Sequence, residues 1–196
     1  MAVTKAVEQV TDWTAVAQNT VGESSALDCS GHYATLLTIQ ATLDTTTAHT
    51  GTRFMIQVSS HATSDEDWHD YAEFVALVGT ALTDLIEDNP LAAGSTVIAL
   101  TGHGLTALAL WLFIEDSTLV DSELVFEVAQ AANSITVLDG TTNAHAQNTA
   151  IFNIAISRSL ILDIAVYRAR VLVDNTYDAD GSTLNYRVRA SEVTGI

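Results

Sequence analysis

The sequence predicts an all-β protein: an antiparallel β-sandwich, jelly-roll-like in its connections, with one short helix near residues 80–88. Three observations predict it. Ala (28) and Thr (26) supply 54 of 196 residues while Pro occurs once, at Pro90, and a Thr-rich, Pro-poor composition favours strands. Apolar residues recur with period two in one segment after another. The long crossover helices that a parallel α/β sheet requires are missing.

The opening residues 1–20 form an arm. Val3, Val7 and Val10 fit one face of a helix, and an extended segment lying on a neighbouring molecule fits them as well. Residues 21–196 follow as a single sandwich domain, since no internal repeat, low-complexity linker or composition break divides them. Leu37, Ile39, Ala41 and Leu43 alternate with Thr38, Gln40, Thr42 and Asp44, which predicts a half-buried strand over 33–44. Beyond the polar turn Thr45 to Gly51, Phe54, Ile56 and Val58 alternate with Met55, Gln57 and Ser59 in a strand over 53–59. These two strands are expected to pair as an antiparallel hairpin. A polar loop leads to Trp68–Val78, where Ala72, Phe74, Ala76 and Val78 face inward. Thr80 suits a helix N-cap, Leu82, Leu85 and Ile86 form an apolar stripe, and Asn89-Pro90 stops the helix. Strands resume at Thr96–Leu100, Ala107–Glu115, Leu124–Val128 and Ser134–Leu138, and Phe152, Ile154 and Ile156 alternate in another. A long apolar strand over 160–173 and a partner at Leu184–Val193 close the chain. Their inward sets are Tyr167, Ala169 and Val171, and Tyr186, Val188 and Ala190.

Composition narrows the function classes. Hydrophobic residues at 48% against 16% charged exclude a disordered acidic tail. Seven basic residues against 24 acidic ones give a net charge of −17, the wrong sign for binding bare nucleic acid or an anionic membrane surface. Cys29 is the only cysteine, so neither an internal disulfide nor a four-cysteine zinc site can form. Glu8 and Asp12 fall where a secretory leader would need an apolar core. The longest apolar run, Ala107 to Ile114, has eight residues, against roughly 20 for a spanning helix. A soluble protein made in a cytoplasm is expected.

Several motifs invite a chemical reading. Gly102-His103-Gly104-Leu105-Thr106-Ala107 follows an apolar strand in the outline of a dinucleotide-binding turn, with Asp121 placed for a ribose hydroxyl. That chemistry needs a helix after the glycines, and residues 107–114 are too apolar all round to make one, so a glycine hairpin loop is favoured. His32, His49, His61, His69, His103 and His145 show no HxxxH or HExxH spacing. No G-x-S-x-G elbow seats a nucleophilic serine. Asp178-Ala179-Asp180-Gly181 resembles part of a calcium loop, but the twelfth position is Arg189 where a bidentate Glu belongs. A solvated hairpin loop is favoured there, as for Asp65-Glu66-Asp67 with Asp70. No catalytic, cofactor-binding or metal-ligating residue is therefore assigned, and the protein is not expected to be an enzyme.

Charge is distributed unevenly. Residues 157–196 hold five arginines and five acids, so the whole −17 lies on residues 1–156. Arg168, Arg170, Arg187 and Arg189 fall on the polar sides of the last two strands. Two readings stay open for them: pairing with acids of the same subunit, or an inter-subunit contact in which guanidiniums meet a neighbour's carboxylates.

The segments Gly31–Ile39, Ala48–Ser60 and Asp65-Glu66-Asp67-Trp68 resemble small virion structural proteins of tailed bacteriophages, of the capsid decoration (cement) type. The resemblance covers roughly residues 25–80 and carries no catalytic residues. It implies a β-rich, homo-oligomeric protein, a trimer among the options, made in the host cytoplasm. Such a protein binds the major capsid protein on the capsid surface and clamps adjacent capsomers. Tail, neck or adhesion modules share such sandwiches and remain alternatives, as does a carbohydrate-binding module.

Overall fold

Where the sequence alternates apolar and polar residues the backbone is extended, and its N–H and C=O groups are satisfied in antiparallel ladders. The computed structural model describes residues 4–43, 49–64, 67–75, 78–79, 83–102, 111–152, 155–176 and 183–194. In chain order the first strands are β1 (Thr4–Val16), β2 (Val21–Glu23), β3 (Leu27–Asp28), β4 (Ala34–Leu43), β5 (His49–Thr50), β6 (Arg53–Ser59), β7 (His69–Val75) and β8 (Val78–Gly79). There follow β9 (Thr83–Leu85), β10 (Val97–Ala99), β11 (Trp111–Glu115), β12 (Glu123–Ala131), β13 (Ser134–Val137) and β14 (Ala150–Phe152). The chain ends with β15 (Ala155–Leu162), β16 (Arg168–Asp174) and β17 (Leu184–Thr194).

Two sheets make the sandwich. One has the order β1-β17-β4-β15, the other β2-β16-β6-β7 with β3 also on β16, and β5 and β8 pair separately. Period two sets the facing sides. Leu37, Ile39 and Ala41 of β4 and Tyr186, Val188 and Ala190 of β17 share a core with Phe54 and Ile56 of β6 and Ala169, Val171 and Val173 of β16, none more than 1% exposed. A one-residue slip of any of these strands would carry its apolar set to solvent.

Between β8 and β15 the chain builds a third sheet, β10-β13-β12-β11-β14-β9, around a second apolar core that includes Ile98, Leu112, Ile114, Val125 and Ile151. The opposite sides of β11 and β14 present Phe113 and Phe152 to the sandwich core, where Trp13 meets Phe113 edge-on at 4.7 Å. Gly140 lets two loops of this unit cross, for a Cβ there would sit 2.5 Å from the Gly94 carbonyl oxygen. The Gly94 N–H donates to Thr141 O at 2.7 Å across the same crossing.

The antiparallel sandwich is as the sequence predicts, but several elements differ. Residues 83–88 are not helical: β9 pairs with β14, and Thr80–Leu82 lie outside the described residues. Burial there has period two, with Asp84 and Ile86 buried around exposed Leu85. The Asp84 carboxylate takes the Leu85 and Gly102 N–H groups at 2.8 and 3.1 Å, tying the strand to a distant loop. The strands over 33–44 and 53–59 form no hairpin, because β4 pairs with β15 and β17 while β6 pairs with β7 and β16. Alternation selects each strand's buried side and is satisfied equally by a neighbour across the sandwich.

The run 160–173 is two strands in different sheets. Asp163 breaks it: its Oδ1 accepts the Ala165 N–H at 2.8 Å and its carbonyl the Val166 N–H at 3.0 Å, a side-chain turn typical of Asp. Tyr167, expected inside, is 47% exposed beyond that turn. The partners of β17 are β1 and β4 instead of the 160–173 segment. The N-terminal residues, from Thr4, are extended and pair with β17 of their own chain.

Candidate functional site

The four arginines do not share a face. Because β16 and β17 lie in opposing sheets with their apolar sides inward, Arg168 and Arg170 stand on one outer surface and Arg187 and Arg189 on the other. Arg168 and Arg170 both stack on the Trp68 ring, 4.8 and 4.4 Å from its centroid. Arg168 also donates to the carbonyl oxygens of His61, at 2.9 Å, and Ser64. Arg170 donates to Gln57 Oε1 at 3.0 Å and to Glu23 Oε1 at 2.7 Å. This pair braces its own sheet.

Arg187 and Arg189 line a groove of about 750 Å³ between the outer face of the β1-β17-β4-β15 sheet and the third sheet. Ladder register builds one wall: Gln9, Arg189 and Thr38 form a cross-strand row, and Arg187 lies opposite Gln40. Arg187 is buried; its Nε donates to Gln40 Oε1 at 2.5 Å and its guanidinium covers the Trp13 ring at 4.6 Å. Burial, and then the like charge of Arg189, brings the Arg187 pKa down to about 10 against the opposing pull of Asp12 and Glu123, so it stays cationic at neutral pH. Arg189 is exposed. Among the described residues no carboxylate forms an ion pair with either arginine.

The facing wall comes from β11 and β12. Alternation turns Leu112 and Ile114 into the third sheet's core and Trp111 and Phe113 toward the sandwich. Phe113 is sealed at the junction, whereas Trp111 is 37% exposed and packs edge-on against Phe126, 5.2 Å between centroids. Asp12 and Asn143 add acceptors and donors to the lining.

A second polar cluster shares Glu123 with the groove lining. The His145 side chain is fully buried, with Nδ1 3.2 Å from Asp116 Oδ2 and Nε2 2.8 Å from Glu123 Oε1. Burial alone would lower the imidazole's pKa, but hydrogen bonds to Glu123 and Asp116 outweigh it and hold the pKa above the ordinary value. Glu123 also accepts the Thr142 and Asn143 N–H groups at 2.6 and 3.1 Å. Against the opposing effect of burial, these bonds and His145 keep its pKa below the ordinary value. Asp116 is likewise lowered, the Thr118 N–H and His145 overcoming burial. Each ring nitrogen already faces a carboxylate, so the cluster is a closed ionic clamp joining three chain segments.

His32 Nε2 meets Glu192 Oε2 at 3.0 Å. Burial raises the Glu192 pKa against the opposing pull of His32. Burial also pushes the Cys29 thiol up to about 11, far from the thiolate a nucleophile requires. His61 stands 3.6 Å from Asp67 at the surface. Among the described residues no three His, Cys, Asp or Glu side chains are grouped to hold a metal ion. His103, Gly104, Asp65, Glu66 and the 178–181 loop lie outside the described residues. Sequence spacing did not reveal the clamp, whose members at positions 116, 123 and 145 occupy separate segments. Nor did it reveal Trp111, which reads as part of an apolar run.

No family model matches the sequence, and a comparison with curated proteins finds no match. Solved structures give distant likenesses. The K3 cleaved adhesin domain of Lys-gingipain from Porphyromonas gingivalis aligns with a TM-score of 0.40 at 10% identity, over 96% of this chain and 91% of that one. The K1 cleaved adhesin domain of the same protein gives 0.39 at 7% identity, over 98% and 99%. A structure of infectious bursal disease virus, Gx strain, gives 0.26 at 10% identity, over 99% of this chain and 42% of that one. These values do not reach a shared family.

Proposed function

We propose that this chain is a non-enzymatic structural protein of a virion, a decoration protein that binds the major capsid protein at the capsid surface as a homo-oligomer. The observation that supports the reading is the uncovered outer end of the β1-β17-β4-β15 sheet. There Val7, Ser191, Leu36 and Ile161 form one cross-strand row, with Val7 75%, Leu36 38% and Ile161 68% exposed. The next row carries Arg189. An apolar centre bordered by arginine is the composition of a protein-docking surface. A net charge of −17 keeps free copies apart in the host cytoplasm until a shell presents its sites. Once docked, copies within about a Debye length, ~8 Å at physiological salt, repel, and the apolar row with Arg189 supplies the local complementarity that offsets this. Arg189 is exposed and has no ion pair among the described residues.

Co-sedimentation of the purified protein with empty shells of the major capsid protein encoded in the same genome tests the reading. Binding should be saturable and should be lost in a folded Val7→Asp/Ile161→Asp variant. Absence of shell binding by the wild type, binding to tails instead, or full occupancy by the variant would refute it.

A further inference from the structure

We propose that the groove between β17 and the third sheet binds a neutral oligosaccharide, one whose rings carry hydroxyls and no ionised group. This goes beyond capsid docking and uses the walls of the groove instead of the apolar row. The two walls differ in kind. From the third-sheet unit Trp111, Val120 and Leu138 line the groove, and they are 37%, 58% and 62% exposed. Single apolar side chains at a surface need no explanation, but three large ones lining one cleft mark a binding surface. From the sandwich come polar groups, Gln9, Asp12, Arg187 and Arg189, with Gln9 directly opposite Arg189 in the ladder.

The charges of the groove offset one another. Asp12 and Glu123 act electrostatically on Arg187, and Asp139 stands in the same lining. An anionic ligand would meet these carboxylates and a cationic one the two guanidiniums, and like charge disfavours both. A hydrophobic ligand would cover Trp111 and Leu138 but strip water from Asp12 and Arg189 without replacing their hydrogen bonds. A sugar ring suits both walls. Each hydroxyl can donate to a carboxylate or a glutamine carbonyl and accept from a guanidinium. The apolar C–H face of a pyranose packs on an aromatic ring such as Trp111, which Phe126 steadies edge-on at 5.2 Å. Gln40 and the Trp13 ring hold the Arg187 guanidinium in place, so little freedom is lost when a hydroxyl binds it. The volume of about 750 Å³ is in the ordinary range for a small-ligand site.

Calorimetric titration of the whole protein with three neutral pentasaccharides of different linkage (maltopentaose, cellopentaose and mannopentaose) and with pentagalacturonate tests the assignment. At least one neutral sugar should bind saturably at one site, with the uronate at least about tenfold weaker. Raising salt from about 0.05 to 0.5 M should change the neutral sugar's affinity less than about twofold, because a ligand without charge has no ionic attraction to screen. Trp111→Ala and Arg189→Ala should each weaken binding about tenfold, while Trp111→Phe retains most of it. Arg189 is exposed, so Arg189→Ala decides the matter even if Trp111→Ala does not fold. No binding of any neutral sugar, uronate binding as tight as theirs, a steep salt dependence, or unchanged affinity in Arg189→Ala would overturn the proposal. None of these outcomes bears on shell binding, which reads the apolar row.

Discussion

Replacing His145 by Gln should be among the most damaging single changes in the third-sheet unit. The imidazolium is the cation between Asp116 and Glu123, at 3.2 and 2.8 Å, and its side chain has no solvent exposure. Glutamine removes the charge and leaves two poorly solvated carboxylates facing each other. Breaking a buried ion pair from one side costs about 3–5 kcal/mol, a large share of the 5–15 kcal/mol or so that keeps a typical domain folded. The pH dependence carries the signature. His145 has its folded pKa raised above 6.5, so its stabilisation is complete below that value and is lost as pH rises through the folded pKa. Glu123 and Asp116 are lowered from 4.5 and 3.8. Their stabilisation is present above those values and is lost as pH falls through the folded ones. The clamp therefore contributes most between about pH 4.5 and 6.5. Urea unfolding of the wild type and His145→Gln, followed by tryptophan fluorescence from pH 4 to 10, should show the widest gap in that window and a narrowing gap on its alkaline side. Glu123→Gln combined with His145→Gln should cost less than the sum of the two singles, since they share one interaction. A gap below about 1 kcal/mol, or one equally wide at every pH, would refute the reasoning.

Gly140→Ala should lower the melting temperature without changing the secondary structure, since the new methyl meets the Gly94 backbone at 2.5 Å and overpacking of this kind costs about 1–3 kcal/mol; an unchanged melting curve would contradict the crossing. Tyr186→Phe should be neutral or stabilising. The Tyr186 hydroxyl is buried without a hydrogen-bond partner among the described residues, and burial pushes its pKa up to about 12, so deleting it removes a desolvation penalty of about 1–3 kcal/mol. Clear destabilisation in a denaturant melt would show that the hydroxyl has a partner. Cys29 should resist a thiol reagent at pH 8 in the native protein and react at once in urea, because its thiol is buried and titrates near 11; fast native labelling would show an open path to it.

For the core strands β4, β6 and β17, existence and buried side were legible because period two is a local property, whereas β9 read as a helix and Tyr167 as inward. Ile39 and Thr38, or Val188 and Arg187, are told apart by their neighbours in sequence alone. The Asp163 turn was legible in principle, since an Asp inside an apolar run is a stop signal, but the run on both sides of it reads as one strand. Both wall residues of the groove were present as types, arginines on an alternating strand and a tryptophan in an apolar run. Their meeting depended on a third sheet whose beginning and end carry no compositional mark.

By itself the sequence determined an antiparallel β-sandwich, the inward apolar sets apart from Tyr167, the concentration of arginine near the C-terminus and the excess of acid elsewhere. Only the tertiary structure decided which strand lies beside which: that β4 faces β6 across a core, that β16 and β17 belong to opposing sheets, and that Arg187 and Arg189 look across a groove at Trp111. The physical reason is that alternation constrains one dimension, the side of a strand that leaves water, and almost any apolar partner satisfies it. The choice of partner, like the meeting of Asp116, Glu123 and His145, is made by packing and hydrogen bonding between residues far apart in the chain, where local pattern has no reach.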